Sequence, residues 1–288
     1  MQGIIEIMIK ENKMSTQVYS CEISLEQGTP PVSYWHRPGK KKILLVHGWL
    51  SSGRGWLHLF RDIPDEYSII APDLPGHGRT LPLPVHRINL REYSRILGLF
   101  LDKTPGGAVD IVAADSMGAL LVLMLMQEGR KVAPGMLFSG CPFLGLPWYL
   151  FFTRAKTLNI ILLKIPGILP PALGRGILHL TNPATNRCSD LVNRRVNQDA
   201  MAADPTTAGI LLKELHGPVI GGNTINTDDC RVLVLRGKLD MVASRHSGKA
   251  LANNLNCPYQ ELPGIGHIPM MEKPGEYVKI LMDLAKAE

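Results

Sequence analysis

Val109-Asp110-Ile111-Val112-Ala113-Ala114-Asp115-Ser116-Met117-Gly118-Ala119-Leu120-Leu121 decides the fold of this chain. Val109–Ala113 is a short apolar run behind Pro105-Gly106-Gly107, and such a run predicts a strand covered on both faces. Met117–Gln127 is apolar nearly all round, which predicts a buried helix. Between them stands Ala114-Asp115-Ser116-Met117-Gly118. A serine on a sharp strand-to-helix turn has its hydroxyl lifted clear of the sheet, and a small residue two places on lets the helix cross closely. The plainer reading is a serine that merely caps a helix. The remainder of the chain chooses between the two.

Working outward, similar apolar runs bounded by turn residues predict strands at Ile43–Val46, Ser68–Ala71, Met136–Phe138, Val232–Leu235 and Tyr259–Leu262. Gln17–Ile23 and Val32–His36 alternate more and predict an antiparallel edge. Helices are predicted at Leu90–Leu101 behind the N-cap Asn89, at Arg245–Leu255 and at Glu276–Ala287. Strand and helix alternate, so the fold class is α/β with a mostly parallel, doubly wound sheet. The alternation breaks between Cys141 and about Gly222. There Phe143–Phe152, Leu158–Leu163 and Pro166–Leu173 read as apolar helix pieces cut by Pro and Gly. The expected organisation is a tail and edge segment over 1–30, a core over 31–141 and 223–288, and a helical cap over 142–222.

The 288 residues suffice for a core that excludes water from a site. With 45% hydrophobic and 19% charged residues, the balance is globular rather than disordered. The net charge of +6 comes without Lys/Arg blocks interleaved with aromatics, so no nucleic-acid partner is expected. Cys21, Cys141, Cys188, Cys230 and Cys257 are odd in number and contain no CxxC pair. That argues against a disulfide framework and a zinc site, and for reduced thiols in a cytoplasmic protein. The opening stretch is broken by Glu6 and lacks a small-residue cleavage site, so it does not read as a signal peptide. Translation from Met14 would leave the residues before it as a disordered tail. No apolar run approaches the length of a membrane span.

Three further motifs complete a candidate site. His47-Gly48-Trp49 follows the Ile43–Val46 strand. A tetrahedral intermediate needs two N–H donors aimed at its oxyanion, and Met117 and Trp49 are the candidates. Arg236-Gly237-Lys238-Leu239-Asp240 stands just past a strand, at the edge where α/β proteins bind ligands, and Asp240 there is placed to orient a histidine. Asp228 and Asp229 lie at the wrong end of the same strand. Gly264-Ile265-Gly266-His267 follows the last strand, and its glycines suggest a histidine placed by backbone. His246, at a helix start, is the runner-up base. His77, in Pro75-Gly76-His77-Gly78, reads as part of a turn.

Ser116, Asp240 and His267 come in that chain order, each after a strand end, with a donor loop upstream. On these residues the chain resembles the α/β-hydrolase superfamily from about Val32 to Ala287, and among its members the serine esterases and lipases. His47-Gly48-Trp49, Asp73-Leu74-Pro75-Gly76-His77-Gly78 and Gly266-His267 carry the likeness. The resemblance implies eight mostly parallel strands, a cap after the sixth, and no cofactor. Ala114 departs from the usual glycine. Dehalogenases and epoxide hydrolases of the superfamily carry aspartate at the elbow. Here the elbow position, two before Gly118, is Ser116, and Asp115 is expected to point away and bond nearby backbone. The leading expectation is cleavage of a small-molecule carboxylic ester with an apolar acyl group. A thioesterase or acyltransferase using the same triad is the alternative, and a non-catalytic binding protein a more distant one. Cap residues such as Arg194 and Arg195 read as a solvated face, with weak attraction to an anionic membrane surface or acyl carrier as the other reading.

Overall fold

The computed structural model describes residues 5–8, 17–104, 108–146, 190–217, 220 and 225–286. Its centre is a nine-stranded sheet in the order β1-β2-β3-β5-β4-β6-β7-β8-β9. The strands are β1 (Ile5–Met8), β2 (Gln17–Ile23), β3 (Val32–Arg37), β4 (Lys41–Val46), β5 (Tyr67–Pro72), β6 (Ile111–Asp115), β7 (Gly135–Ser139), β8 (Arg231–Gly237) and β9 (Tyr259–Leu262). β1, β2, β3 and β5 pair antiparallel in succession. From β5 through β4, β6, β7 and β8 to β9 every pairing is parallel.

The parallel strands bury both faces, as their continuous apolar runs demand. Leu44, Val46, Val112, Ala114, Met136, Phe138, Val232 and Val234 point into one core with Phe100, Leu120 and Leu251. Alternate residues Ile43, Leu45, Ile111, Ala113, Leu137 and Leu235 point into a second core with Trp56, Phe60 and Tyr277. The first core is covered by α1 (Leu90–Lys103), α2 (Met117–Gln127) and a later helix over Arg245–Asn254. The second is covered by a 3₁₀ turn over Gly53–Leu59 and the C-terminal helix over Pro274–Lys286. Between β7 and β8 the described residues include α3 (Asp190–Ala202) and α4 (Pro205–Glu214). In chain order the remaining helices are α5 (Arg245–Asn254), α6 (Pro269–Glu272) and α7 (Pro274–Lys286).

Three differences from the sequence reading have physical causes. Ile5–Met8 is not part of a tail. It forms β1, whose backbone pairs with the otherwise open edge of β2, so the sheet has one strand more than the eight the resemblance implies. β6 begins and ends two residues later than the apolar run suggested, because Asp115 is paired within the sheet opposite Ser139. Most of the apolar segments read as a cap (all but the start of Phe143–Phe152, and the whole of Leu158–Leu163 and Pro166–Leu173) lie outside the described residues. Among the described residues, no helix is long and apolar enough to cross a membrane.

The strand order places a site. The chain leaves β4 to form β5 on one side and returns to form β6 on the other. Connections at the carboxyl ends of β4 and β6 therefore diverge and leave a crevice between them. His47 follows β4 and Ser116 follows β6.

Candidate active site

Ser116 sits between the last residue of β6 and the first of α2 with φ +50° and ψ −116°. A non-glycine residue avoids that region unless its surroundings impose it. Here the Ser116 N–H donates to the Ser139 carbonyl at the tip of β7 (2.8 Å), and the Ser116 carbonyl accepts from Ala119 N–H (3.1 Å). Helix and strand cross so closely that a Cβ on Gly118 would stand 2.6 Å from the His47 carbonyl and 2.7 Å from that of Val46. Only glycine fits there. Ala114, the departure noted above, stays in register between Val46 and Phe138 with its methyl in the core.

The three residues picked out from different parts of the sequence meet. His267 Nε2 lies 3.1 Å from Ser116 Oγ, and His267 Nδ1 lies 3.0 Å from Asp240 Oδ2. The other oxygen of Asp240 accepts the N–H groups of Val242 (2.7 Å) and Ala243 (2.9 Å). That leaves Oδ2 aimed at the imidazole. Burial alone would lower the pKa of His267. The charge of Asp240 and its hydrogen bond, with Asp115 and Glu272 behind them, outweigh burial and raise it above the ordinary imidazole range. His246 is exposed at the start of α5, and Asp228 and Asp229 lie in the turn before β8, where Asp229 pairs with Lys131 at 2.8 Å.

The candidate donor loop lies against the serine. A Cβ on Gly48 would come within 3.0 Å of Ser116 Cβ and 3.1 Å of Asp115 Oδ2, so glycine allows the main chain to approach. His47 fixes the start of this loop. Leu74 N–H donates to His47 Nε2 (2.9 Å), so the ring proton sits on Nδ1, which donates to the Gly48 carbonyl (2.8 Å). Burial pushes the His47 pKa down to about 4, which keeps the ring neutral. His77 is wholly buried, and burial with the neighbouring His47 brings it to about 3. Trp49 follows in the loop, and Met117 is the first residue of α2, fully buried beside Ser116.

Several supporting residues carried little signal in the sequence. Arg236 is buried and braces the acid loop, donating from Nη2 to the Asp240 carbonyl (2.5 Å) and from Nε to the Ala243 carbonyl (2.7 Å). Glu272 holds the histidine loop by accepting Gly266 N–H (2.8 Å) and Ile268 N–H (3.2 Å). Among the described residues Asp115 meets a side-chain hydroxyl rather than backbone. Its Oδ1 accepts the Ser139 hydroxyl (3.1 Å), and burial pushes its pKa up to about 7. The signal open to Asp115 and Glu272 was nearness in sequence to the candidate residues: Asp115 precedes Ser116, and Glu272 lies five positions past His267.

Known proteins share this architecture. The model of the alpha/beta hydrolase family matches residues 43–280. The chain belongs to that family. A curated relative, an AB hydrolase superfamily protein of Gibberella zeae, is 26% identical over 106 residues, which is 36% of this chain and 37% of the relative. The match thus spans little more than a third of that relative's length. Among solved structures, a thermophilic esterase from Thermogutta terrifontis superposes with a TM-score of 0.72 at 18% identity, covering 92% of this chain and 97% of its own. A bromoperoxidase from Bacillus anthracis gives 0.76 at 17% identity, covering 93% and 100%. At such identities these likenesses speak to fold, and chemistry is argued from the site.

Proposed function

We propose that this family member is a serine hydrolase that cleaves a carboxylic ester through an acyl-enzyme. The observation that carries the reading is the continuous hydrogen-bonded run from Ser116 Oγ through His267 to Asp240. In the proposed cycle His267 Nε2 takes the Ser116 proton as Oγ attacks the ester carbonyl. The oxyanion is held by the main-chain N–H groups of Trp49 and Met117. His267 then gives its proton to the departing alkoxide. Water, deprotonated by the same nitrogen, attacks the acyl-enzyme and restores Ser116. Asp240 keeps the proton of the neutral ring on Nδ1 and stabilises the imidazolium.

The apolar surroundings support an apolar acyl group. Met117 belongs to the same cluster as Phe143, Leu211 and Leu215 from the segment proposed as the cap, with Trp49 packed against it. Such side chains cannot compensate a polar group for its lost water, but they favour a buried chain by about 0.8 kcal/mol per methylene. A series of p-nitrophenyl esters tests this. kcat/KM is expected to rise by about tenfold or more from acetyl to octanoyl, with Ser116→Ala as the control. A maximum at acetyl with steep loss thereafter would show a small pocket and refute the assignment.

Asp115 gives this reading a pH signature. Its carboxylate is flanked by the Ser139 hydroxyl, with Tyr277 beyond, by buried Cys141, and by the charges of His267 and Asp240. An ionised Asp115 favours the imidazolium and so helps hold the His267 pKa up. Base catalysis needs the neutral ring, so activity appears as pH rises through that pKa. Asp115→Asn keeps the acceptor for Ser139 and removes the charge. The acid limb of kcat/KM is therefore expected to move to lower pH, with the plateau changed by less than about tenfold. A limb that stays in place or moves upward would contradict the argument.

A further inference from the structure

The loop that carries the proposed oxyanion donor is not held by the sheet alone. We infer that the Trp49 side chain is a positioning residue: its indole N–H, bonded to the Ala208 carbonyl in α4, sets where its own main-chain N–H stands. The inference rests on the reading of Ser116 as nucleophile and of the Trp49 N–H as oxyanion donor.

The loop is strained where it matters. Leu50, the residue after Trp49, has φ +59°, a left-handed conformation that a leucine adopts at a cost of about 1–2 kcal/mol. Inside the loop the Ser51 N–H reaches the Gly48 carbonyl at 3.3 Å, a long bond. Strain of this kind persists only where the surroundings over-determine the backbone. His47 fixes the entrance of the loop from the core side, as described. The second hold comes from a residue 159 positions away: Trp49 Nε1 donates to the Ala208 carbonyl at 2.9 Å.

That carbonyl is a fixed reference, because α4 is fastened to the core along its length. At its start the Asp204 N–H donates to the Gly76 carbonyl (2.8 Å), and Thr207 packs so tightly on Gly76 that an added Cβ there would lie 2.7 Å from its hydroxyl. At its end Glu214 accepts the Leu90 N–H (2.6 Å), and the Leu215 carbonyl accepts the Leu146 N–H (2.8 Å). Ala208 and Leu211 between them are fully buried. Ala208 is interior to a helix, and a carbonyl has a second lone pair beyond the one its helix uses. The indole therefore adds a bond without breaking the helix. A donor to an oxyanion must stand about 2.7–3.1 Å from where that oxygen forms. Anchoring the same residue's ring to a fixed helix restricts the drift of that N–H. The ordered consequence is that α4, far away in sequence, becomes part of the transition-state binding apparatus.

Trp49→Phe removes the indole donor together with its five-membered ring, and keeps one aromatic ring and the main-chain N–H; the kcat-against-KM split separates the lost bond from the lost volume. With p-nitrophenyl butyrate, kcat is expected to fall about tenfold, a fraction of the loss from deleting an oxyanion donor outright, while KM stays within about twofold. Inhibition by an alkylboronic acid, which forms a tetrahedral anion on the serine, should weaken in the same proportion as kcat. A variant with wild-type kcat and boronate affinity overturns the inference. So does one whose KM rises while kcat and boronate affinity hold, since the ring would then be only a pocket wall. If Trp49→Phe does not fold, Glu214→Ala carries the test by loosening the far end of α4. It should lower kcat and boronate affinity together by about two- to threefold with KM kept, and no change in either overturns the inference. Fluorophosphonate labelling separates the two levels. A wild-type chain that is not labelled at Ser116 sinks the nucleophile reading itself, whereas normal labelling with an unaffected Trp49→Phe sinks the coupling alone.

Discussion

Ser116→Ala is expected to reduce ester turnover by about 10³-fold or more while the fold stays intact. The size follows from the way the site is connected. Removing Oγ deletes the proposed nucleophile and the atom that His267 Nε2 faces at 3.1 Å, so nothing remains for the proposed base to activate except water. The fold should tolerate the change, because the features that impose φ +50° at this position belong to the backbone. They are the bond from its N–H to the Ser139 carbonyl and the close crossing at Gly118. Alanine meets the same backbone cost as serine there and loses no packing. Initial rates with p-nitrophenyl butyrate, far-UV circular dichroism and fluorophosphonate labelling provide the check. A folded variant with rates near those of the parent would mean that the elbow serine is not the nucleophile.

What was legible in the sequence is what the backbone dictates locally. α2 and β9 were read with the boundaries they have, because one is an unbroken apolar helix and the other a short run between turn residues. Ser116, Asp240 and His267 were legible because each stands beyond a strand end, and parallel strands bring such ends to one edge of the sheet. The end of β6 was misread because a polar Asp115 looks like the end of an apolar run. Its burial is made tolerable by a hydroxyl 24 residues away, which no local pattern announces. Ile5–Met8 was lost for a related reason, since an added edge strand is stabilised by backbone pairing to β2 rather than by its own pattern. The brace from Arg236 and the Trp49–Ala208 bond are long-range in the same sense. Periodicity reports which face a residue turns inward; it carries no information on which distant polar group it will find there.

Asp240→Asn is expected to cost about 10⁴-fold in kcat, and Asp228→Asn to change it by less than about twofold. The asymmetry comes from geometry rather than charge alone. Asp240 Oδ1 accepts two main-chain N–H groups, from Val242 and Ala243. An asparagine at this position must keep its carbonyl oxygen toward those donors, since its amide group would clash donor against donor there. Its NH₂ is then the group facing His267 Nδ1. That nitrogen must accept, so the ring proton moves to Nε2, the atom that takes the proton from Ser116 in the proposed cycle. The substitution thus leaves the three side chains in place and turns the base the wrong way round. It also removes the charge that holds the His267 pKa up; that alone would move the acid limb to lower pH and keep the plateau, whereas a reversed tautomer lowers the plateau at every pH. Asp228 is exposed in the turn before β8, its N–H bonded to Asn226, at the opposite end of the strand from the serine. It has no route to the imidazole. Comparing pH–rate profiles of the two variants beside thermal unfolding of each decides the matter. Equal losses, or a larger loss at position 228, would remove Asp240 from the orienting role. An acid limb moved to lower pH with the plateau largely kept in Asp240→Asn would instead show that the carboxylate acts through its charge and not by fixing the tautomer.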